Sequence, residues 1–306
     1  MKKKLVSGLV SALLLVTFFT GSSSAKDADI TNFDIVQAKK ELVVKAQEAE
    51  KFKKQHNLIT NQSKENVDHL LAKMVAEQED ATTIKQTMEN NGLYKLDVPE
   101  KQFGTTSTDN SNVSLTTPDV YYDARNSEWI AVGGGYWRTD KWVEYIPKFW
   151  GTDGIGSTRG VGGLDGFGVA YTNLNGKYSS SVKSSYGYMS DGQGNEVTTT
   201  VRSDGDGSKG FGFQLRDAIR KKCTCIVYTS TPDNFSYIGK HFSGLTRYDQ
   251  SFGSVSGNAT TYYLHTYSSA SISSIQFGIS GKVAGLQYTI TDSQYSWPAF
   301  SSDKKF

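Results

Sequence analysis

The sequence has few of the residues from which metal and nucleophilic sites are usually built. Its 306 residues include two cysteines and four histidines. The Cys-Thr-Cys motif at 223–225 has no second pair of ligands at zinc-site spacing, because only His241 and His265 share its half of the chain. No Gly-x-Ser-x-Gly nucleophile motif occurs, and the glycine-rich stretch 151–168 lacks the Gly-Lys-Ser/Thr of a phosphate-binding loop. The sequence therefore predicts no metal, no cofactor and, on balance, no enzyme.

The chain also lacks a concentrated charge of either sign. Lysine and arginine total 33 against 31 aspartate and glutamate residues, which gives a formal charge of +2. Three of the lysines stand at positions 2–4, so the small basic excess belongs to the N-terminus. Strong binding to nucleic acid requires a dense basic surface, and we therefore expect no nucleic-acid partner.

One long apolar run is present, and it lies at the N-terminus. Three lysines precede the largely apolar stretch Leu5–Phe19, and small residues follow it up to Ala25. This order is typical of a secretory signal peptide, and the run is shorter than the roughly 20 residues of a spanning helix. We predict a signal peptide at 1–25 that is cleaved after Ala25, and a mature protein that is secreted and does not span the membrane.

The rest of the chain divides into two parts of different composition. Residues 26–103 are rich in helix-forming Lys, Glu, Ala, Gln and Leu, and helical spacing of apolar residues predicts helices over 34–56 and 64–90. A polar linker, 104–118, follows. Two hypotheses remain open for the helical segment: a spacer or packed domain, or a pro-segment that is removed by cleavage in the exposed linker.

The C-terminal part, residues 119–306, has the composition of a β protein. All five tryptophans, 16 of 17 tyrosines and 26 of 30 glycines follow residue 118. Short strand-like runs between turn signals predict an antiparallel β-sandwich or jelly roll. The alternation at 275–279 and 286–290 predicts a hairpin, 142–146 a strand, and 215–222 a short helix.

An aromatic cluster is the strongest candidate for a ligand site in this domain. It comprises Tyr136, Trp137, Trp142, Tyr145 and Trp150. Flat aromatic rings can stack on sugar rings, and their mixed polar and apolar character also suits membrane interfaces. The alternative is ordinary packing of these rings in the protein core.

The two cysteines, Cys223 and Cys225, are close enough in sequence for a local disulfide. In a flat strand their Cα atoms would lie about 6.6 Å apart and their side chains would be too far apart for a bond. A disulfide therefore requires a bend, although an exported protein favours oxidation. Buried free thiols are the main alternative.

These observations favour an extracellular binding module for glycan, cell wall or another surface. A secreted pore-forming or antimicrobial protein with a helical pro-segment is the first alternative, because the serine- and threonine-rich strands near the C-terminus resemble membrane hairpins in pattern. A secreted hydrolase is the second, with Glu128 and Glu144 as the carboxylate pair.

Overall fold

The structure, a computed structural model, describes residues 33–59, 62–99, 111–145, 154–175, 181–202, 205–223, 232–268, 270–277 and 286–306. The predicted signal peptide at 1–25 lies outside the described residues. No helix within these ranges is both long enough and apolar enough to span a membrane.

The described chain begins with helices and continues with strands. The helices are α1 (Ile35–Gln55), α2 (Lys64–Ala76) and α3 (Ala81–Asn90). The first strands are β1 (Leu93–Lys95), β2 (Val113–Leu115), β3 (Asp119–Asp123), β4 (Glu128–Trp137), β5 (Thr158–Gly160), β6 (Asp165–Asn175), β7 (Val182–Ser190), β8 (Glu196–Thr199) and β9 (Gly210–Leu215). The remaining strands are β10 (Ala218–Lys221), β11 (Phe235–Ile238), β12 (His241–Tyr248), β13 (Ser256–Thr266), β14 (Ile272–Phe277), β15 (Leu286–Ile290), β16 (Ser296–Phe300) and β17 (Lys304–Lys305).

Local capping fixes where the helices start and stop. The Asp34 carboxylate accepts the backbone N–H groups of Val36 and Gln37 at 3.0 Å, and the Ser63 hydroxyl accepts that of Asn66 at 3.2 Å. Such caps satisfy N–H groups that a helix leaves unpaired at its start. Gly92 follows the third helix with φ of +87°, a conformation that glycine adopts without strain.

The strands pair antiparallel throughout the described chain and form two main sheets. The larger sheet has the order β1-β3-β4-β12-β7-β8, with β2 also paired to β4. The second has the order β16-β13-β6-β9, with β17 also on β13. Smaller sheets are β11-β10-β5 and the hairpin β14-β15. The prediction of a mainly antiparallel, sandwich-like β fold after a helical segment is confirmed, as is the predicted hairpin.

The two main sheets approach each other closely at a glycine of β4. A side chain at Gly133 would overlap the Thr261 side chain of β13 and the Val169 side chain of β6. Aromatic rings fill the neighbouring space, where Phe242 stacks on Tyr263 with ring centroids 4.2 Å apart. The absence of a side chain at Gly133 is therefore a packing requirement of the sandwich.

The helices cover the outer face of the larger sheet. Leu71 and Met74 of α2 lie in one core cluster with Ile130 of β4 and Leu245 of β12. On the same face of β12, the Ser243 hydroxyl donates to the Ala72 carbonyl at 2.7 Å. Residues 34–306 consequently form one compact unit.

A buried ion-pair network centred on Arg247 of β12 reinforces this docking. Arg247 is fully buried and contacts Asp68 of α2 at 2.7 Å, Asp123 of β3 at 2.6 Å and Glu128 of β4 at 3.2 Å. Burial acts to lower the pKa of Arg247, but the carboxylates of Asp68 and Asp123 outweigh it and hold that pKa above its usual range. The guanidinium therefore remains charged and joins three elements.

Three local predictions were wrong, each because a specific contact outweighs the sequence pattern. The predicted helix 64–90 is interrupted, because Gln78 adopts φ of +60° and Asp80 caps a new helix through Thr82 and Thr83. The predicted helix 215–222 is instead the end of β9 followed by β10, which pairs with strands on both sides.

The predicted strand 142–146 is the third of these. Residues Lys141–Tyr145 form a 3-10 helix, whose start is fixed by the Val143 N–H donating to the Asp140 carbonyl at 3.0 Å. The Asp140 carboxylate also accepts the Trp142 indole N–H at 3.3 Å.

Part of the predicted linker 104–118 is a strand. Residues Val113–Leu115 form β2, which pairs with β4. Residues 100–110 lie outside the described ranges.

Candidate functional site

The sequence-predicted aromatic cluster is mostly inside the protein. Trp137 is 1% exposed and Trp142 is 4% exposed. Tyr136 is partly buried and stacks on His241, with ring centroids 6.2 Å apart. Tyr145 belongs to the 3-10 helix, but its side chain, like all of Trp150, lies outside the described residues. Trp137 and Trp142 of the predicted cluster therefore present no ring face to solvent.

Both buried tryptophans pack into a larger group of rings. Trp142 stacks on Tyr237 with ring centroids 5.0 Å apart and planes 8° from parallel. Trp137 meets His265 edge to face at 5.0 Å and Trp297 at 5.4 Å, and its indole N–H donates to the Tyr263 hydroxyl at 3.2 Å. This is the geometry of aromatic core packing, and the indole N–H groups of Trp137 and Trp142 each have a hydrogen-bond acceptor.

An open cavity of about 410 Å³ lies elsewhere, between α1 and the 3-10 helix Gln250–Ser254. Its floor contains the rings of Tyr122 and Trp129, whose centroids are 5.0 Å apart. Polar and apolar side chains from both elements form its walls: Lys40, Val43, Val44, Gln47, Gln250 and Ser254. This volume is within the range of small-molecule sites.

A buried lysine forms the back of this cavity. Lys39 is fully buried, and its ammonium donates to the carbonyl oxygens of Phe252 at 3.1 Å and Val255 at 2.8 Å. The same nitrogen lies 4.4 Å from the Phe252 ring centroid and 5.5 Å from that of Trp129. Burial lowers the pKa of Lys39 to about 7. The cavity therefore has a cation whose charge changes near neutral pH.

A second candidate site is fully enclosed and could hold a metal. Asp165, Asp217 and His265 offer ligand atoms that all lie within 4.8 Å of one another, and all three side chains are fully buried. His265 Nδ1 lies 3.0 and 3.1 Å from the two Asp165 oxygens. Burial and the nearby Asp165 carboxylate raise the pKa of Asp217 well above its usual range.

Sequence inspection missed the two aspartates of this cluster. Asp165 precedes Gly166, and an Asp-Gly pair by itself indicates only a turn. Asp217 lies in the segment 215–222 that was wrongly predicted to be a helix. His265 enters the sequence analysis only as a possible zinc ligand for the Cys-Thr-Cys motif, to which no spacing ties it. The three residues belong to different parts of the chain, so no local spacing could have linked them.

The carboxylate pair proposed for hydrolysis is already engaged in other contacts. Glu128 pairs with Lys64 at 2.7 Å and with Arg247 at 3.2 Å, whereas Glu144 is exposed on the 3-10 helix. Because two cations neutralise Glu128, its environment differs from the apolar surroundings that make a carboxyl group a general acid.

The cysteine motif is only partly described. Cys223 is disulfide-bonded. Cys225, its predicted partner, lies outside the described residues, so the pairing stays a prediction.

The comparisons with known proteins assign no family. Neither a protein-family model nor a curated protein matches the chain.

Proposed function

We propose that this is an exported bacterial-type protein that binds a sugar of the cell wall or of another extracellular glycan. The site we propose is the cavity between α1 and residues 250–254, and this cavity is the observation that carries the proposal. Export is proposed on the N-terminal pattern at 1–25. The proposed ligand is still a glycan, as the sequence suggested, but Trp137 and Trp142 are buried and the cavity is the proposed site instead.

The lining of the cavity supports a carbohydrate ligand. Tyr122 and Trp129 lie at the base of the cavity but are only 2% and 1% exposed. The apolar surface open to the C–H groups of a sugar ring therefore comes mainly from Val44, which is 56% exposed. Gln47 and Gln250 offer amide groups that donate and accept hydrogen bonds, and Ser254 offers a hydroxyl. A few polar groups around an apolar base are the usual composition of a small-ligand site.

The binding test uses variants of the walls, because the aromatic floor also supports the fold. Val44 is 56% exposed, so Val44→Trp should fill the cavity without disturbing the core. Gln250→Ala should remove one amide contact. The control is Glu48→Ala, since Glu48 is exposed on the same helix but does not line the cavity.

The probes are purified bacterial cell walls in sedimentation assays and N-acetylglucosamine oligomers in calorimetric titrations. We expect Val44→Trp to weaken binding at least about tenfold, which corresponds to about 1.4 kcal/mol. Glu48→Ala should bind like the parent protein. Failure of the parent protein to bind either probe, or binding by Val44→Trp at parental strength, would contradict the proposal.

If the cavity is the binding site, the mature protein must keep the helical segment, because residues of α1 form part of the cavity. Removal of residues 26–118 would uncover Leu245 and the charge of Arg247, which α2 covers. It would also remove one wall of the cavity. Mass spectrometry of the secreted protein should therefore find a chain that begins at Lys26 and retains α1–α3. A product trimmed to the β domain would instead favour the pore-forming alternative.

A further inference from the structure

The enclosed cluster of Asp165, Asp217 and His265 is assembled by strand register. Asp165 opens β6, where its backbone pairs with Leu215 of β9, two residues before Asp217. On the other side of β6, Gly166 pairs with Leu264 of β13, next to His265. The sheet thus brings two carboxylates and one imidazole to one point from three separate segments.

Hydrogen-bond donors surround both carboxylates. Asp165 accepts the Tyr263 hydroxyl and, at 2.8 Å, the Thr266 backbone N–H. Asp217 accepts the Tyr237 hydroxyl at 2.5 Å through Oδ2. Groups that donate to a carboxylate favour its ionised form. Burial has the opposite effect and dominates at Asp217, whose pKa it raises. A cation next to both carboxylates would favour their ionised forms in this enclosed cluster.

One carboxylate oxygen of this cluster has no hydrogen-bond donor among the described residues. Asp217 Oδ1 is buried and makes no hydrogen bond to any described residue. A buried carboxylate oxygen without a partner is costly, and two neighbouring buried carboxylates repel each other. A bound cation would satisfy the oxygen and remove the repulsion.

The spacing of His265 and Asp165 also suits a metal ion, although the cluster as a whole spans up to 4.8 Å, so that binding an ion would draw its ligands together. Two ligands that are each about 2.1 Å from one ion, at angles of 90° to 110°, lie about 3.0–3.4 Å apart. His265 Nδ1 and the Asp165 oxygens are separated by 3.0 and 3.1 Å. Tyr263 and Tyr237 would then hold the coordinating carboxylates in place, as outer-shell groups commonly do.

We propose that Asp165, Asp217 and His265 bind one divalent transition-metal ion of the zinc class. Imidazole and carboxylate ligands together suit zinc. The ion would be fully enclosed and would join β6, β13 and the turn between β9 and β10. Its role is therefore structural, and it does not depend on the sugar-binding proposal, because none of these three residues lines the cavity.

The first test measures metal in the full-length secreted protein, purified without a metal-binding tag. Mass spectrometry of elements should find about one zinc ion per chain. Dialysis against a chelator should lower Tm by about 5–10 °C, and added Zn²⁺ should restore it. Manganese and calcium serve as comparison ions.

The second test uses Asp217→Asn with Asp97→Asn as the matched control. Asp97 carries an exposed carboxylate outside the cluster. Asp217→Asn should lose the bound zinc and its effect on Tm, whereas Asp97→Asn should keep both. Should Asp217→Asn fail to fold, metal content and chelator response of the parent protein decide the question.

Two results would overturn the proposal. The first is a parent protein with no stoichiometric metal whose Tm responds neither to chelator nor to Zn²⁺. The second is an Asp217→Asn variant that binds zinc as the parent does. Either result would assign the cluster to a shared proton or buried water instead of an ion.

Discussion

The burial of Lys39 predicts how the stability of the protein depends on pH, because this lysine of α1 is enclosed and its pKa is lowered. The perturbation is Lys39→Met, which keeps the length of the side chain and removes the charge. The ammonium is fully buried against Phe252 and Val255. Burial lowers the pKa of Lys39 from 10.5 to about 7.

The size of the effect follows from linkage. Between pH 7 and pH 10.5 the unfolded chain holds a proton on Lys39 that the native protein has released, so stability must rise with pH. The complete titration is worth about 5 kcal/mol, and the part between pH 7 and pH 9 is worth about 2 kcal/mol. Lys39→Met cannot titrate at this position and lacks this contribution.

The assay is urea unfolding of the parent protein and of Lys39→Met at pH 7, 8 and 9. The free energy of unfolding of the parent should rise relative to that of the variant by about 2 kcal/mol across this range. Lys45→Met is the control, since Lys45 is exposed on the same helix, and it should show no such trend. A difference between the parent and Lys39→Met that stays constant from pH 7 to pH 9 would contradict this prediction. It would mean that the two carbonyls and the aromatic rings keep Lys39 charged.

Three further predictions concern the packing of the layers. Arg247→Met should lower the free energy of unfolding, measured by urea denaturation, by about 3–5 kcal/mol, because it leaves buried carboxylates without their cation. A loss below about 1 kcal/mol would show that the Arg247 network does not stabilise the docked helices. Gly133→Val should lower Tm by several degrees in a thermal scan, because the added side chain overlaps Thr261. An unchanged Tm would show that the two sheets can move apart here without loss of stability. Burial raises the pKa of Asp68 to about 6. The native protein therefore holds a proton that the unfolded chain loses, and the free energy of unfolding should fall by about 3 kcal/mol as pH rises from 3 to 7. Urea unfolding across this pH range should show a smaller fall for Asp68→Asn.

Several elements were predictable because their signals are local. The ends of α1 follow from the Asp34 cap and from helical spacing of apolar residues, and they agree with the predicted 34–56 within a residue. The hairpin of β14 and β15 follows from alternation in two adjacent runs. In both cases the residues that decide the structure are neighbours in sequence.

Other elements depended on distant partners. The sequence of β10 has helix-like spacing, yet Ala218 and Ile219 pair with β11 on one side and β5 on the other. The break between α2 and α3 coincides with Glu77, whose carboxylate accepts the Tyr188 hydroxyl of β7 at 2.9 Å. Tertiary pairing outweighed local propensity at both points.

The order of basic, apolar and small residues at the N-terminus, the change from helical to β composition and the type of most elements can be read from the sequence alone, because each is encoded by residues close together. Only the tertiary structure decided which side chains share a site. It buried Trp137 and Trp142, which composition alone could equally have left on the surface. It also joined Asp165 to His265, 100 residues later in the chain, because side chains so far apart meet only through the register of β6 and β13.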